Sequence, residues 1–220
     1  MEKSTLQFLK DLKANNNKEW FDINRKVYES AKKNFLDFTT EVIKKIEKFD
    51  KEIQGIDPKK TLFRINRDIR FSKDKSPYKT NMGASISKGG KLDMSAGYYF
   101  HLEPGGAFCA GGSYQPMPPQ LTSIRQEIDY NFKEFKKIIT SAAYKKYFND
   151  LDVVEKLKTI PKGYSAENPA IEYLKHKSFI VSKTFTDKEV LSATFTDDIT
   201  YSFKAVRPLI SFLNNAMNGL

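Results

Sequence analysis

Between Arg64 and Asn81 the chain sets out side chains suited to holding an anion: Arg64, Arg67 and Arg70, then Lys75 and Lys79, with Tyr78 and Asn81 interleaved. Guanidinium forks make bidentate contacts with phosphate or carboxylate, ammonium groups add compact point charge, and a phenol and a carboxamide add neutral hydrogen bonds. Asp68 sits among the arginines, where a carboxylate serves as a general base, a metal ligand or an orienter of a neighbouring guanidinium. Residues 61–80 carry six basic and two acidic groups, too few acids for the stretch to neutralise itself. An anion site is therefore the favoured reading. An internal Arg/Asp ion-pair lattice that ties a loop to a sheet is the alternative.

Other residues with chemical potential are sparser. His101 falls between Tyr99 and Glu103 on the polar side of an alternating stretch and is, with Asp68, a candidate for proton transfer if that face lines a cleft. A hydrogen-bonded surface histidine is the competing reading. His176, between Lys175 and Lys177, is expected in solvent, and Cys109, between Phe108 and Ala110, is expected as a small buried hydrophobe. Arg125 has Asp129 one helical turn away as its expected partner. One Cys and two His leave no cluster for structural zinc, so no metal site is expected and no cofactor is implied. Gly105-Gly106 and Gly111-Gly112 lack the Gly-Lys-Ser/Thr that completes a phosphate loop and read as turn and bulge glycines. Tyr98-Tyr99-Phe100 alternates faces in a strand, so it offers no same-face platform for stacked bases.

The elements that must position these groups follow from periodicity. Leu6, Phe8, Leu9 and Leu12 mark a short helix with Ser4 as its cap. Trp20, Ile23, Val27, Ala31, Phe35, Phe38, Val42, Ile46 and Phe49 then recur every three or four residues, predicting one long helix over 18–49. From Thr61 the period becomes two: Phe63, Ile65, Ile69 and Phe71 alternate with Arg64, Asn66, Asp68, Arg70 and Ser72, predicting a strand. Arg67 then falls on the apolar face. A buried guanidinium needs a carboxylate, carbonyls or a bound anion, and Glu103 and Glu127 are candidate partners. Further strands are expected near 82–88, 95–103, 107–114 and 178–185, with Pro104-Gly105-Gly106 as a hairpin turn. Helices are expected over 119–130, 131–140, 151–158 and after Asn168-Pro169, and a closing helix capped by Thr196 should be kinked or divided at Pro208. The order of helices, strands, helices gives an α+β single domain over 1–220: an antiparallel sheet of about five strands covered by N- and C-terminal helices.

Composition supports this. Hydrophobic residues at 40% and aromatics at 13%, with 17 Phe and 11 Tyr, exclude general disorder. No apolar run approaches the ~20 residues of a membrane span, and the opening MEKSTLQFLK lacks a signal-peptide core. A soluble, cytoplasmic protein without a membrane partner is expected. The net charge of +10 favours anionic partners, a phosphorylated or carboxylated small molecule first and nucleic acid second.

The 64–81 segment also resembles a known family, the uncharacterised bacterial proteins of domain-of-unknown-function family 2461, whose signature is R-x-x-R-D-x-R-F, three residues, Asp or Asn, then K-x-x-Y-K-x-N. Arg64, Arg67, Asp68, Arg70, Phe71, Asp74, Lys75, Tyr78, Lys79 and Asn81 meet it without departure. Asn16-Asn17 with Trp20-Phe21 is similar to the family's N-terminal pattern. The resemblance extends along nearly the whole chain and implies no particular activity. Whether the chain is an enzyme, a binding module or an adaptor with a purely structural motif stays open on sequence.

Overall fold

The computed structural model describes residues 1–217. The N-terminal third is helical, with α1 (Lys3–Ala14), α2 (Lys18–Ile23), α3 (Arg25–Ile46), a 3-10 turn at Lys51–Ile53 and α4 (Pro58–Thr61). Strands β1 (Met82–Ile86), β2 (Gly97–Leu102) and β3 (Ala107–Ser113) follow. Then come α5 (Pro118–Tyr130), α6 (Phe132–Ile139), α7 (Ala142–Lys145), α8 (Ile171–Leu174), β4 (Phe179–Phe185), α9 (Asp187–Val190) and α10 (Phe195–Met217). The architecture is α+β, and the antiparallel sheet has four strands in the order β1-β2-β3-β4.

The described residues gather into two compact units. The first comprises Met1–Lys91, Tyr99–Cys109 and Thr184–Tyr201. Its core is aromatic: Phe100 meets Phe35 at 5.8 Å and Phe38 at 5.2 Å between ring centres, and Phe195 stacks on Phe38 at 5.4 Å. Such pairs add to simple burial through their ring quadrupoles. The second unit comprises Leu92–Tyr98, Ala110–Lys183 and the chain from Ser202 onward. There Tyr98 packs on Phe203 at 5.0 Å, and Phe135 lies between Tyr173 and Phe212. The buried carboxamide of Asn214 accepts from the Ala96 N–H at 2.8 Å and donates to the Ala96 carbonyl at 3.2 Å, so its polar atoms are satisfied.

Along β2 the expected alternation holds, with Tyr98, Phe100 and Leu102 buried and Tyr99 and His101 on the other face. The long helix expected over 18–49 is instead two. The Asn17 side chain accepts from the Trp20 N–H at 2.9 Å and opens α2, and the Asn24 carboxamide donates to the Trp20 carbonyl at 2.9 Å and closes it. These side chains compete with the helix for its own backbone groups. As a consequence Ile23 and Val27 are exposed, while Ala31, Phe35, Phe38, Val42 and Ile46 are buried.

The expected strand from Thr61 does not form. Residues 62–66 touch β1 and its approach at two isolated bridges, Leu62 to Ala84 and Asn66 to Tyr78, after which the chain loops out. Of the four apolar positions only Ile65 is buried, and Phe71 is 95% exposed. Residues 151–158 are not helical. They lie extended, the Asp152 N–H donating to the Ile180 carbonyl at 2.9 Å and the Leu157 N–H to the Lys175 carbonyl at 2.8 Å. α1 begins at Lys3 rather than after a Ser4 cap, α10 begins at Phe195 rather than after Thr196, and α10 continues through Pro208 undivided. His176 is buried rather than solvated, and burial pushes its pKa down. Arg125 donates to the carbonyls of Leu174 at 2.7 Å and His176 at 3.3 Å, in place of an ion pair with Asp129.

Candidate functional site

The motif divides between a loop and a cleft. The loop runs from Arg67 to Tyr78 and is held by its own polar side chains. Arg67 pairs with Asp74 and donates to the Ser76 carbonyl at 3.1 Å and the Ser72 hydroxyl at 3.3 Å. Its partner is thus Asp74, seven residues on, and neither Glu103 nor Glu127. Asp74 also accepts from the Ser76 N–H at 2.9 Å and hydroxyl at 2.6 Å. These two bonds, joined by Arg67, hold its carboxyl down at about 2. Asp68 takes a bidentate contact from Arg70 at 3.0 and 2.7 Å, which lowers the Asp68 pKa and raises that of Arg70. Lys75 donates to the Ile69 carbonyl at 3.0 Å.

Tyr78 anchors the end of this loop. Its ring is buried and stacks on Phe21 at 3.9 Å, while its backbone N–H and carbonyl are both bonded by the Asn16 carboxamide. The N-terminal Asn16 and Phe21 thus receive Tyr78, while Phe21 also packs on Tyr28 at 5.0 Å. Arg70, at 76% side-chain exposure, and Phe71 stand out in solvent at the loop's tip.

The cleft has a volume of about 720 Å³ and lies between α3 and the chain around 62–66, 81–82 and 91. Its apolar wall includes Phe35, Leu36, Leu62, Ile65 and Met82. Its charged lining is five cations, Lys32, Lys33, Lys59, Arg64 and Lys91, against one carboxylate, Glu29. Two of the cations are answered on α3 itself, Lys32 by Glu29 at 3.5 Å and Lys33 by Asp37 at 2.7 Å. Among the described residues Lys59, Arg64 and Lys91 make no ion pair; Lys91 donates to the Leu62 carbonyl at 2.6 Å. Asn66 and Asn81 supply neutral donors and acceptors in the same lining. Lys79 stands at the Phe63 end, its Nζ 5.4 Å from the ring centre of Phe63, which lines the cleft. Burial, followed by Arg64 and Lys91, pushes the Lys79 pKa down. Cations gathered in excess of nearby acids raise one another's free energy, and an anion entering between them relieves it.

A third cluster lies on the open face of β2. The Tyr99 hydroxyl is 3.1 Å from His101 Nδ1, and His101 Nε2 is 3.2 Å from Glu103, which also accepts from the Thr80 hydroxyl at 3.2 Å. The His101 ring stacks on Phe108 at 4.7 Å. Burial pushes the Tyr99 phenol up to about 12. His101 is a hydrogen-bonded link in a chain, 14% exposed at its side chain.

Of the sequence candidates, then, Arg64 and Asn81 line the cleft and Lys79 adjoins it. Arg67, Asp68, Arg70 and Lys75 are engaged within the loop, Tyr78 is a packing anchor, and His101 lies in the β2 cluster. Lys59 and Lys91 lay outside the sequence reading because each sits apart from the motif. Their only signal was a basic residue beside a turn, Asp57-Pro58 in one case and Gly89-Gly90 in the other. Among the described residues no group of three or more His, Cys, Asp or Glu is placed to hold a metal ion, and no helix is long and apolar enough to cross a membrane.

No curated protein and no solved structure significantly matches the chain. The family described as "Conserved hypothetical protein (DUF2461)" matches residues 4–212, nearly the whole of the chain, and the chain belongs to that family.

Proposed function

We propose that the protein binds a small anion, phosphorylated or carboxylated, in the cleft between α3 and residues 62–66. The observation that carries this is the gathering of Lys59, Arg64 and Lys91, none of them in an ion pair among the described residues, around a concavity that also offers Asn66 and Asn81. Arg64 is the group suited to a bidentate grip, and the two lysines add point charge. The apolar wall of Leu36, Leu62 and Phe63 gives room for an organic body behind the anionic head. Arg67, Arg70, Asp68 and Lys75 support this site by shaping the loop that follows it.

Thermal melting against inorganic phosphate, pyrophosphate, nucleotides, dicarboxylates and short oligonucleotides tests the proposal. A ligand at 100 times its dissociation constant stabilises the fold by about 2.7 kcal/mol, a shift of several degrees at this chain length. The expected result is a shift with a small anion that is lost in Arg64→Ala. A shift given only by oligonucleotides, and falling steeply with salt, would favour nucleic-acid binding. No shift with any of them rejects an anion site.

A further inference from the structure

We infer that the cleft takes a nucleoside diphosphate, its diphosphate among Lys59, Lys91 and Arg64 and its base toward Asn66, Asn81 and the Tyr28 ring. The inference rests on the anion-binding reading and adds the ligand class. The cleft has two ends. At one, the Lys91 N–H donates to the Lys60 carbonyl at 3.4 Å and its Nζ to the Leu62 carbonyl at 2.6 Å, which brings Lys91 to the stretch that carries Lys59. At the other, Asn66 bridges to Tyr78, Tyr78 stacks on Phe21 at 3.9 Å, and Phe21 packs on Tyr28 at 5.0 Å. Arg64 and Asn81 lie between these ends. The Phe63 N–H donates to the Gly83 carbonyl at 3.0 Å and the Lys79 N–H to the Ile65 carbonyl at 2.8 Å. Between those two bonds one side has Arg64 alone and the other has Thr80, Asn81 and Met82, so the longer side bows, with Asn81 at its middle. Extra residues of this kind re-aim side chains beside binding sites.

Charge sets the phosphate count. Among the described residues Lys59, Arg64 and Lys91 make no ion pair, whereas Lys32 holds Glu29 and Lys33 holds Asp37. A terminal phosphate carries about −1.5 to −2 at pH 7 and an inner one about −1, so a diphosphate matches three cations where a monophosphate leaves positive charge over. The volume of about 720 Å³ exceeds what an inorganic anion fills and suits an organic ligand. The far end of the cleft selects the organic part. The side chains of Asn66 and Asn81 bond no protein group among the described residues, whereas those of Asn16, Asn24, Asn168 and Asn214 all do. A carboxamide sets a donor beside an acceptor, the pattern that a base edge complements. The half-buried Tyr28 ring and the half-exposed Phe63 ring add aromatic lining against which a flat base packs. A sugar phosphate offers neither that edge nor a flat face.

Calorimetric titration of the intact chain in magnesium-free buffer provides the test, with ADP, GDP, UDP, their monophosphates and pyrophosphate as ligands. The expected result is that at least one of the three diphosphates binds about tenfold tighter than pyrophosphate, and about tenfold tighter than its own monophosphate. Asn66→Ala, first shown to melt cooperatively, should shrink the ratio to pyrophosphate to about threefold or less. Lys59→Ala should weaken nucleotide and pyrophosphate together and keep that ratio. Pyrophosphate binding with no nucleotide tighter overturns the nucleoside and leaves the anion site standing. Monophosphates as tight as their diphosphates overturn the diphosphate. A ratio unchanged in both Asn66→Ala and Asn81→Ala overturns the placement of the base. No saturable binding of any of these ligands overturns the anion site as well.

Discussion

Arg67 shows how one residue can look like a ligand-binding group and serve as a frame. It falls on the apolar register of an alternating stretch, and its side chain is three-quarters buried, with the guanidinium bonded to Asp74, Ser72 and the Ser76 carbonyl. Hydrogen bonds to charged groups contribute about 1.5–3 kcal/mol each when buried, and less with a partner as exposed as Asp74. Arg67→Ala should therefore lower stability by about 1–3 kcal/mol in urea denaturation. Phe71→Ala, removing a ring that touches little but Arg70, should change it by less than about 0.5 kcal/mol. The Asp74 carboxyl titrates at about 2 in the fold against an ordinary 3.8. A depressed carboxyl stabilises the fold above its unfolded pKa, and the contribution fades as pH falls through the folded one. The acid limb of a stability–pH curve between about pH 4 and 2 should accordingly be shallower in Asp74→Asn than in the native chain.

At the scale of elements, the sheet is governed by close approaches that a sequence shows only as glycines. A Cβ on Gly111 would lie 2.5 Å from Val206 Cγ1, in a fully buried and branched side chain. Gly112, at φ +126°, brings β3 so near the Phe179 carbonyl that no side chain fits. Gly111→Ala should cost about 1–3 kcal/mol as an overpacked core site, measured as a drop in melting temperature. Much of this level was legible beforehand. The alternation of Tyr98, Phe100 and Leu102 located β2, Pro104-Gly105-Gly106 located its turn, and Ala31 through Ile46 located the buried face of α3. What was not legible has a common cause in short polar side chains bonding to nearby backbone. Asn17 and Asn24 cut one helix into two, and Asp68, Asp74 and Ser76 turned a strand-like pattern into a loop. Periodicity records where apolar groups fall and carries no term for that competition. The cleft escaped for a different reason. Lys32, Lys59, Arg64 and Lys91 come from separate parts of the chain and meet only through tertiary pairing.

Over the whole molecule, the net charge of +10 becomes informative once its distribution is known. Several acids in the described structure answer bases close by, as Asp22 does for Lys18 and Arg25 and Glu172 for Lys156 and Lys175. In the cleft Lys59, Arg64 and Lys91 share one concavity with no ion pair among the described residues. Screening should relieve this repulsion, so added salt is expected to weaken anion binding without weakening the fold. The most direct measurement is a calorimetric titration of pyrophosphate into the native chain, Arg64→Ala and Arg70→Ala, all three first shown to melt cooperatively. Saturable binding that Arg64→Ala abolishes and Arg70→Ala leaves within about twofold, on the order of 0.4 kcal/mol, is the expected result. Binding that survives Arg64→Ala and disappears in Arg70→Ala would place the anion on the exposed loop and contradict the cleft.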